Sequence, residues 1–202
     1  MKQADMKKCR VLCTSMVLWA VIGIGGCGGR SSNLPAVQNF QIDTLLGNWH
    51  EVARLPLPFE INCAAVSFEY IPVRSDKILV NHYCWYKSIN GPMRRTTADV
   101  RLLQPEDHPG QLLIQFAGPF AGRYDVFYIS QNEQVVLIGD PKRRYLWILA
   151  KSLSPSPEQV RTAIETAAGV GFDVAELVFS QDLLPMAKQF LPSAVTTAEV
   201  KK

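Results

Sequence analysis

The chain has 202 residues, of which 48% are hydrophobic and 19% charged, and its formal net charge is +3. This length suits one domain with its own core plus terminal additions. The first ten positions hold four basic residues and one acidic residue, so the rest of the chain is close to neutral. It lacks the overall positive charge of nucleic-acid-binding proteins, and we expect no nucleic-acid partner.

The first element in chain order is an export signal. A basic start at 7–10 precedes an almost wholly apolar run at 11–24. A run this short, with these flanks, is typical of a secretory signal rather than a membrane-spanning helix. The small residues that follow, Ile24-Gly25-Gly26-Cys27, resemble a bacterial lipobox, in which the cysteine becomes the lipidated first residue. A plain signal peptide that happens to contain a cysteine is the alternative.

The lipobox resemblance predicts how the start of the chain is processed. We expect 1–26 to be a lipoprotein signal peptide, Cys27 to carry the lipid anchor, and 27–36 to form a tether. Because Gly28 rather than aspartate follows the cysteine, the resemblance implies attachment to the outer membrane of a Gram-negative cell, on its periplasmic side. Several acyl chains would anchor the protein firmly, since one chain alone binds only marginally.

Short strands separated by turn signals follow the tether, a pattern typical of an all-β barrel or sandwich. Gly- and Pro-containing turns punctuate the chain, as at 90–92 and 105–110. Because every connection is short, we expect an antiparallel meander. The eight predicted strands are 47–55, 64–71, 77–86, 94–103, 111–117, 123–130, 134–139 and 144–151.

One helix is predicted after the strands. Ser156 offers an N-cap, Pro157 suits the first helical position, and Gln159 would complete a capping box. A short ninth strand is predicted within 172–180. The segment 183–202 is weakly patterned, and we expect it to be a disordered or surface-attached tail.

Cys63 and Cys84 remain once the signal and the anchor are set aside. Two thiols in an oxidising compartment most often pair. If the hairpin after strand 64–71 centres between residues 73 and 74, these cysteines face each other directly on the outer face of the sheet. A disulfide is therefore predicted, with a free pair or an intermolecular bridge as the alternative.

The face predicted to point inward is aromatic and carries few charges. Eight antiparallel strands can close around a filled interior or around one small ligand. Hydroxyls and an amide among apolar walls suit an amphiphile better than a dry core. The residues predicted to face inward are Val66, Phe68, Tyr70, Leu79, Asn81, Tyr83, Trp85, Ala98, Val100, Leu102, Leu112, Ile114, Phe116, Tyr124, Val126, Tyr128, Tyr145, Trp147 and Leu149.

Several landmarks occur in a recognisable order. They are Asn39-Phe40, Gly47-x-Trp49 within Leu45–Arg54, Gly118-Pro119-Phe120, Tyr145–Leu149, and Gly171-Phe172-Asp173. Together they resemble the lipocalins, specifically the bacterial outer-membrane lipoprotein lipocalins that are similar to apolipoprotein D and to plant temperature-induced lipocalins. The resemblance covers about 37–182.

The resemblance implies a fold and a function. The fold is all-β: an eight-stranded antiparallel up-and-down barrel over 37–182, with a C-terminal helix outside it and a short ninth strand. The function is to bind, store or transport fatty acids or lysophospholipids for outer-membrane maintenance under stress, without a cofactor or metal. The expected ligand contacts are the inward set without Ala98, Leu102, Leu112 and Leu149.

The resemblance also implies a closed end to the barrel. Gly47 would let the chain turn there, and Trp49 would plug the barrel beneath Lys151, with Glu51 and Ala53 continuing inward. Relatives usually carry arginine where Lys151 stands. A lysine keeps the cation over the indole but loses the planar stack and the fork of donors.

Catalysis is not expected. His50, His82 and His108 are scattered, and no local metal or nucleophile motif occurs. Glu51 is the one carboxylate predicted to point inward, and we interpret it as a hydrogen-bonded structural residue. A lipocalin-fold enzyme acting on a bound lipid, and a structural envelope lipoprotein with a packed interior, are the alternative functions.

The expected partners are lipophilic molecules and the membrane through lipidated Cys27, and both a monomer and a homodimer are compatible with the sequence. The basic runs Arg94-Arg95 and Lys142-Arg143-Arg144 could attract anionic headgroups. Short basic runs are more often solvated surface.

Overall fold

The computed structural model describes residues 36–75, 77–116 and 121–190. The predicted signal peptide, Cys27, the tether up to residue 35 and the last twelve positions of the predicted tail lie outside these ranges, as do three residues of one landmark, 118–120. Among the described residues, no helix has the length and apolar content needed to cross a membrane.

Within these ranges, nine strands form one sheet, in the order β2-β3-β4-β5-β6-β7-β8-β1-β9. A further pairing of β1 with β2 closes the first eight into a barrel, and every neighbouring pair is antiparallel. The predicted up-and-down barrel is confirmed. The strands are β1 (Gly47–Arg54), β2 (Cys63–Arg74), β3 (Lys77–Tyr86), β4 (Met93–Gln104), β5 (His108–Phe116), β6 (Ala121–Ile129), β7 (Val135–Gly139), β8 (Leu146–Ala150) and β9 (Val178–Phe179).

Strand β1 closes the barrel by changing partners along its length. Its first half pairs with β2, and its second half pairs with β8 and β9. The register with β8 shifts between Glu51 and Ala53, and such a bulge breaks the alternation of faces. Ala53 therefore packs in the hydrophobic cluster outside the barrel, and its predicted inward position is wrong.

The β2–β3 hairpin has a different register from the predicted one. Val66 lies opposite Cys84, and Phe68 lies opposite His82, whereas the prediction placed Val66 opposite Asn81. The turn falls between Arg74 and Lys77, later than the predicted centre, so the pairing is displaced by three residues. An odd displacement sends every side chain of β3 to the opposite face.

The disulfide between Cys63 and Cys84 is present, with the sulfurs 2.06 Å apart and the Cα atoms 5.3 Å apart. The predicted bridge is confirmed, but its predicted place is wrong. Cys63 lies opposite Tyr86 rather than Cys84, with a register shift before Ala65. Both cysteines line the barrel's interior rather than its outer face.

Two hydrophobic clusters hold the fold. One fills part of the barrel's interior and includes Trp49 and Val100. The other lies between the outside of the barrel and α1 (Pro157–Gly169), whose buried face includes Val160 and Ile164. This second cluster fixes the helix against β6, β7 and β8.

Helix α1 begins where the sequence predicts, with Ser156 at the N-cap and Pro157 in the first turn. The predicted capping box is wrong: the Ser156 side chain makes no capping hydrogen bond. Instead the Gln159 amide donates to Asn132 Oδ1 at 2.9 Å. The glutamine therefore joins the helix to the β6–β7 turn.

The compact fold continues past residue 182. A 3-10 turn at Leu184–Met186 leads into α2 (Ala187–Phe190). Leu183 and Phe190 are fully buried in the outer cluster, and the Phe190 ring stacks on Phe179 of β9 with centroids 6.2 Å apart. These described residues of the predicted tail pack against the barrel.

Candidate functional site

A cavity of about 1020 Å³ occupies the barrel and reaches the loops at one end. We call this the open end; its loops are 55–62, 87–92 and 140–145, which join β1 to β2, β3 to β4, and β7 to β8. The opposite, closed end carries the turns at 105–107 and 130–134 and the tryptophan of β1. The strands supply the cavity's walls, and the loops supply its mouth.

Eight of the residues predicted to face inward do line the cavity. They come from four strands and from the residue that precedes β8, and six of the eight are aromatic. The eight are Phe68, Tyr70, Ile114, Phe116, Tyr124, Tyr145, Trp147 and Leu149. Burial raises the pKa of Tyr70 far above its ordinary value and that of Tyr124 to about 12, so both hydroxyls stay neutral at physiological pH.

Other predicted inward residues fill the interior without reaching the cavity. Ala98, Val66, Val100, Leu112 and Val126 are buried in the inner cluster, and Leu102 packs against it. The barrel is therefore part packed core and part cavity. The packed part supports the cavity from the closed end.

Four residues predicted to line the cavity lie on the opposite face of β3 because of the changed register. They are Leu79, Asn81, Tyr83 and Trp85. Asn81 and Tyr83 donate to Glu69 Oε2 at 3.0 and 2.7 Å, and these bonds lower the pKa of Glu69, with the Tyr83 bond contributing most. This polar network lies on the outside of the barrel.

Tyr128 also lies outside the barrel. The pairing of β6 with β7 shifts between Val126 and Tyr128, and the bulge sends Tyr128 against the outer cluster. No local sequence pattern predicts this bulge or the β3 register. Both faces of β3 mix apolar and polar residues, so alternation does not identify the inward face.

The sequence prediction missed several residues that line the cavity. From β3 and β4 come Val80, His82, Cys84, Tyr86, Arg94 and Thr96. The β1–β2 loop adds Pro58, Phe59, Glu60, Ile61 and Asn62, and the β7–β8 turn adds Asp140, Pro141, Lys142 and Arg144. With the correct hairpin register, alternation along β3 would have identified the residues of that strand. The loop residues do not alternate as strand residues do, so periodicity could not identify them.

A buried charged cluster holds the β1–β2 loop against the cavity wall. Glu60 accepts from His82 Nε2 at 2.7 Å, and Arg54 Nη2 donates to the Glu60 backbone oxygen at 2.9 Å. Arg54 Nε lies 3.2 Å from Glu60 Oε2, a contact too bent for a hydrogen bond. Trp147 Nε1 lies 3.4 Å from both Glu60 carboxylate oxygens. Glu60 thus joins the loop to β1, β3 and β8.

Glu51 completes this cluster, and its pKa differs from the ordinary value. Its Oε1 accepts from Arg54 Nη1 at 2.7 Å, while its buried Oε2 makes no direct hydrogen bond within the described part of the chain. Burial raises the pKa of Glu51 well above its ordinary value, the Glu60 carboxylate adds to this rise, and Arg54 opposes it. We infer that Glu51 is the carboxyl group that carries a proton, because one guanidinium cannot balance two buried carboxylates.

The Glu60–His82 pair does not assemble a catalytic arrangement. Within the described residues, the hydrogen bond of His82 is to Glu60, and its ring packs edge-on against Phe68 with centroids 5.2 Å apart. No hydroxyl of that part of the chain is held by the imidazole as a nucleophile would be. In the same ranges, no three His, Cys, Asp or Glu side chains form a group suited to a metal ion.

The closed end is arranged around Trp49, which is fully buried. Its Nε1 donates to the Leu45 oxygen at 2.7 Å, and Lys151 Nζ lies 5.0 Å from the ring centroid. Gly47 has a φ of +92°, which favours glycine at the entry to β1. The chain thus enters β1 through a glycine with positive φ, and the Lys151 ammonium lies over the face of the Trp49 ring.

The mouth of the cavity is basic. Arg123 forms two hydrogen bonds of 2.8 Å with Asp125, and Arg144 pairs with Asp140 at 3.0 Å. Arg94 lies over the Tyr86 ring at 3.8 Å from its centroid. Within the described ranges, neither Arg94 nor the exposed Lys142 has a carboxylate partner. These two cations remain available to an anion at the mouth.

Comparisons with known proteins agree with this architecture. The outer membrane lipoprotein Blc of Vibrio cholerae serotype O1 is 29% identical over 167 residues, which cover 82% of this chain and 96% of that protein. Escherichia coli K12 Blc is 30% identical over 153 residues, covering 72% of this chain and 81% of that protein. Temperature-induced lipocalin-1 of Arabidopsis thaliana is 26% identical over 156 residues, covering 73% of this chain and 82% of that protein.

Solved structures share the fold at lower identity. Insecticyanin from the tobacco hornworm Manduca sexta superposes with a TM-score of 0.57 at 20% identity, covering 73% of this chain and 84% of that chain. Lobster apocrustacyanin A1 gives 0.55 at 14% identity, covering 69% and 78%. A model of the Lipocalin-like domain matches residues 40–182. With its closed eight-stranded barrel around an open cavity, the chain belongs to the lipocalin family.

Proposed function

We propose that the protein is a membrane-anchored lipocalin that binds, stores or transports a fatty acid or lysophospholipid for outer-membrane maintenance under stress. The observation that carries this proposal is the cavity of about 1020 Å³ with aromatic walls and a basic mouth. Its volume is at the upper end of the range for small-molecule sites, about 300–1000 Å³.

The walls suit an acyl chain. Phe68, Ile114, Trp147 and Leu149 present apolar surface along the cavity. Each buried methylene contributes about 0.8 kcal/mol, so about ten methylenes contribute on the order of 8 kcal/mol before the costs of ordering the ligand. An alkyl chain therefore supplies most of the binding free energy.

The mouth suits an anionic head. Arg94 and Lys142 line the cavity there and have no carboxylate partner in the described residues. A carboxylate or phosphate held between them would make charge-assisted hydrogen bonds. The ligand would lie with its tail toward the packed interior and its head among the loops.

The location rests on sequence and on relatives. Ile24–Cys27 resembles a lipobox, and the similar proteins of Vibrio cholerae and Escherichia coli are named outer membrane lipoproteins. These features support our proposal that the chain is anchored to the outer membrane through lipidated Cys27, on the periplasmic side. A structural lipoprotein with a packed interior fits the cavity poorly, and the Glu60–His82 pair holds no nucleophile that would favour an enzyme.

Titration with palmitate and with a lysophospholipid tests the proposal, using a matched pair of variants on β3. Val80→Trp places a large side chain in the cavity, while Leu79→Trp places it on the opposite face. We expect Val80→Trp to weaken binding of either ligand at least tenfold and Leu79→Trp to leave it within twofold. Thermal unfolding of both variants checks that each remains folded.

Two results would contradict the proposal. Equal binding by the two folded variants would place the ligand outside the cavity. Failure of the parent to bind any single-chain amphiphile, together with no lipid in mass spectra of protein purified from native membranes, would refute the carrier function.

A further inference from the structure

We propose that the rim of the open end docks onto the surface of an anionic phospholipid bilayer, so that the cavity's mouth faces the headgroups. The rim is defined as residues 58–62, 87–95, 121–123 and 140–145. The inference goes beyond the proposed function, because it concerns the surface around the mouth rather than the cavity. It is also distinct from the proposed lipid anchor at Cys27, which precedes the barrel in the sequence.

Exposed apolar side chains are concentrated on the rim. Of seven large apolar side chains exposed on the described chain, four are there: Phe59 (57% exposed), Ile61 (77%), Ile89 (48%) and Met93 (53%). The two loops that carry them are joined by a hydrogen bond of 2.7 Å from the Lys87 amide to the Asn62 oxygen. The two loops that carry the four side chains are therefore adjacent on the rim.

The rim's solvent-facing charge is of one sign. Its described residues include seven lysines or arginines: Lys87, Arg94, Arg95, Arg123, Lys142, Arg143 and Arg144. Its two carboxylates, Glu60 and Asp140, are buried and face internal partners. The closed end, by contrast, exposes Asp43, Glu106, Asp107 and Glu133. Arg74, Lys77 and Lys151 also lie at the closed end, so its charges nearly balance, whereas those of the rim are mostly positive.

This combination fits a bilayer better than a protein partner. Apolar tips flanked by cations can enter the boundary between headgroups and acyl chains while their charges remain at the anionic surface. Each basic residue near such a surface strengthens binding about fivefold. The core of a protein interface is instead depleted in lysine, whereas Lys87 and Lys142 are interspersed with the rim's apolar side chains.

Docking would also bring the mouth of the cavity next to the bilayer that contains the proposed ligand. The lining residues Phe59, Ile61 and Arg94 belong both to the mouth and to the rim. An amphiphile could then pass between bilayer and cavity without exposing its chain to water, which is costly for apolar surface. This consequence depends on the proposed function, but the docking itself does not.

Vesicle partitioning tests the inference with a chain that spans Ser32–Lys202. This range contains every described strand, the disulfide and both hydrophobic clusters, so it retains the described contacts of the barrel. Co-sedimentation with vesicles of phosphatidylglycerol and phosphatidylcholine is compared with pure phosphatidylcholine. We expect at least tenfold stronger partitioning to the anionic vesicles, and most of that difference to be lost in high salt.

A matched pair of double variants separates the rim from general surface hydrophobicity. Ile89→Ser with Met93→Ser changes the rim without touching the cavity lining. Val73→Ser with Leu103→Ser changes the closed end, where those side chains are 50% and 41% exposed. We expect the rim variant to partition at least fivefold more weakly than the parent, and the closed-end variant to stay within twofold.

Three outcomes would overturn the inference: no partitioning of the parent to either vesicle, equal loss in both double variants, or no dependence on anionic lipid. A concentration-dependent dimer that the rim variant abolishes, without vesicle binding by the parent, would assign the rim to a second copy of the chain instead. Palmitate titration of the rim variant in solution distinguishes this failure from failure of the proposed function, because its cavity lining is unchanged.

Discussion

The two ends of the barrel are stabilised in different ways. At the closed end, Trp49 is buried among apolar neighbours, with a cation above it and a backbone partner four residues away. At the open end, the β1–β2 loop is held by Glu60, which contacts Arg54, His82 and Trp147 from three strands. The apolar end depends on local sequence, and the end that carries the cavity depends on charges brought together by the fold.

This difference suggests why the cavity is where it is. An apolar plug packs tightly and leaves no space around it. A loop fixed by buried ionic contacts can instead lie across a cavity without filling it. Three changes test the contrast, in order of decreasing expected effect.

Removing the Glu60 carboxylate should have the largest effect on stability. Glu60→Ala removes a buried carboxylate from Arg54 and from the part-buried His82, and leaves Glu51 as the remaining acidic partner of Arg54. Breaking a buried ionic contact in this way costs up to about 3–5 kcal/mol. Urea unfolding measures the loss. Glu106→Ala, which removes an exposed carboxylate at the closed end, should change the free energy of unfolding by less than about 0.5 kcal/mol. Equal stability of the two variants would show that the cluster does not hold the loop.

The protonation of Glu51 should appear in the pH dependence of stability. Because its folded-state pKa is raised, its stabilising contribution is complete below its ordinary pKa of 4.5 and is lost as the pH rises through the folded-state value. Each unit of the rise corresponds to about 1.4 kcal/mol. The free energy of unfolding of the parent should therefore fall more steeply than that of Glu51→Gln as the pH rises above the ordinary pKa of the Glu51 carboxyl group, 4.5.

This pH window isolates Glu51 from the surface carboxylates. Glu69 and Asp99 have lowered pKa values, so their contributions are lost only as the pH falls through their folded-state pKa values, below the window. Parallel stability profiles for the parent and Glu51→Gln would mean that folded Glu51 is ionised, contrary to our interpretation.

The cation at the closed end should have the smallest effect. Lys151→Met keeps the length of the side chain but removes the charge above Trp49, at an expected cost of about 0.5–2 kcal/mol. Lys151→Arg should be at least as stable as the parent, since a guanidinium stacks on the indole. Thermal and urea unfolding measure both variants.

Lys87→Met is the corresponding control at the open end. Lys87 Nζ lies 5.3 Å from the Tyr86 centroid, but the lysine is exposed, so its loss should cost about 0.5 kcal/mol. If Lys151→Met were as stable as the parent, the cation of Lys151 would not stabilise the closed end.

The sequence by itself determined the parts of this protein that depend on local patterns. The number of strands follows from alternation and turn residues, the start of α1 from Ser156 and Pro157, and the Trp49 plug from its landmark with Gly47. The disulfide followed from the two remaining cysteines. These features require only neighbouring residues or a short list of possible partners.

Only the tertiary structure decided which side chains reach the cavity. The β2–β3 register depends on where one turn closes, and a shift of three residues exchanged Asn81 and Tyr83 for Val80 and His82. The Glu51–Arg54–Glu60–His82 cluster and the basic rim join residues far apart in sequence. Their positions are set by barrel closure and by bulges, because these long-range contacts outweigh the weak preferences of the individual strands.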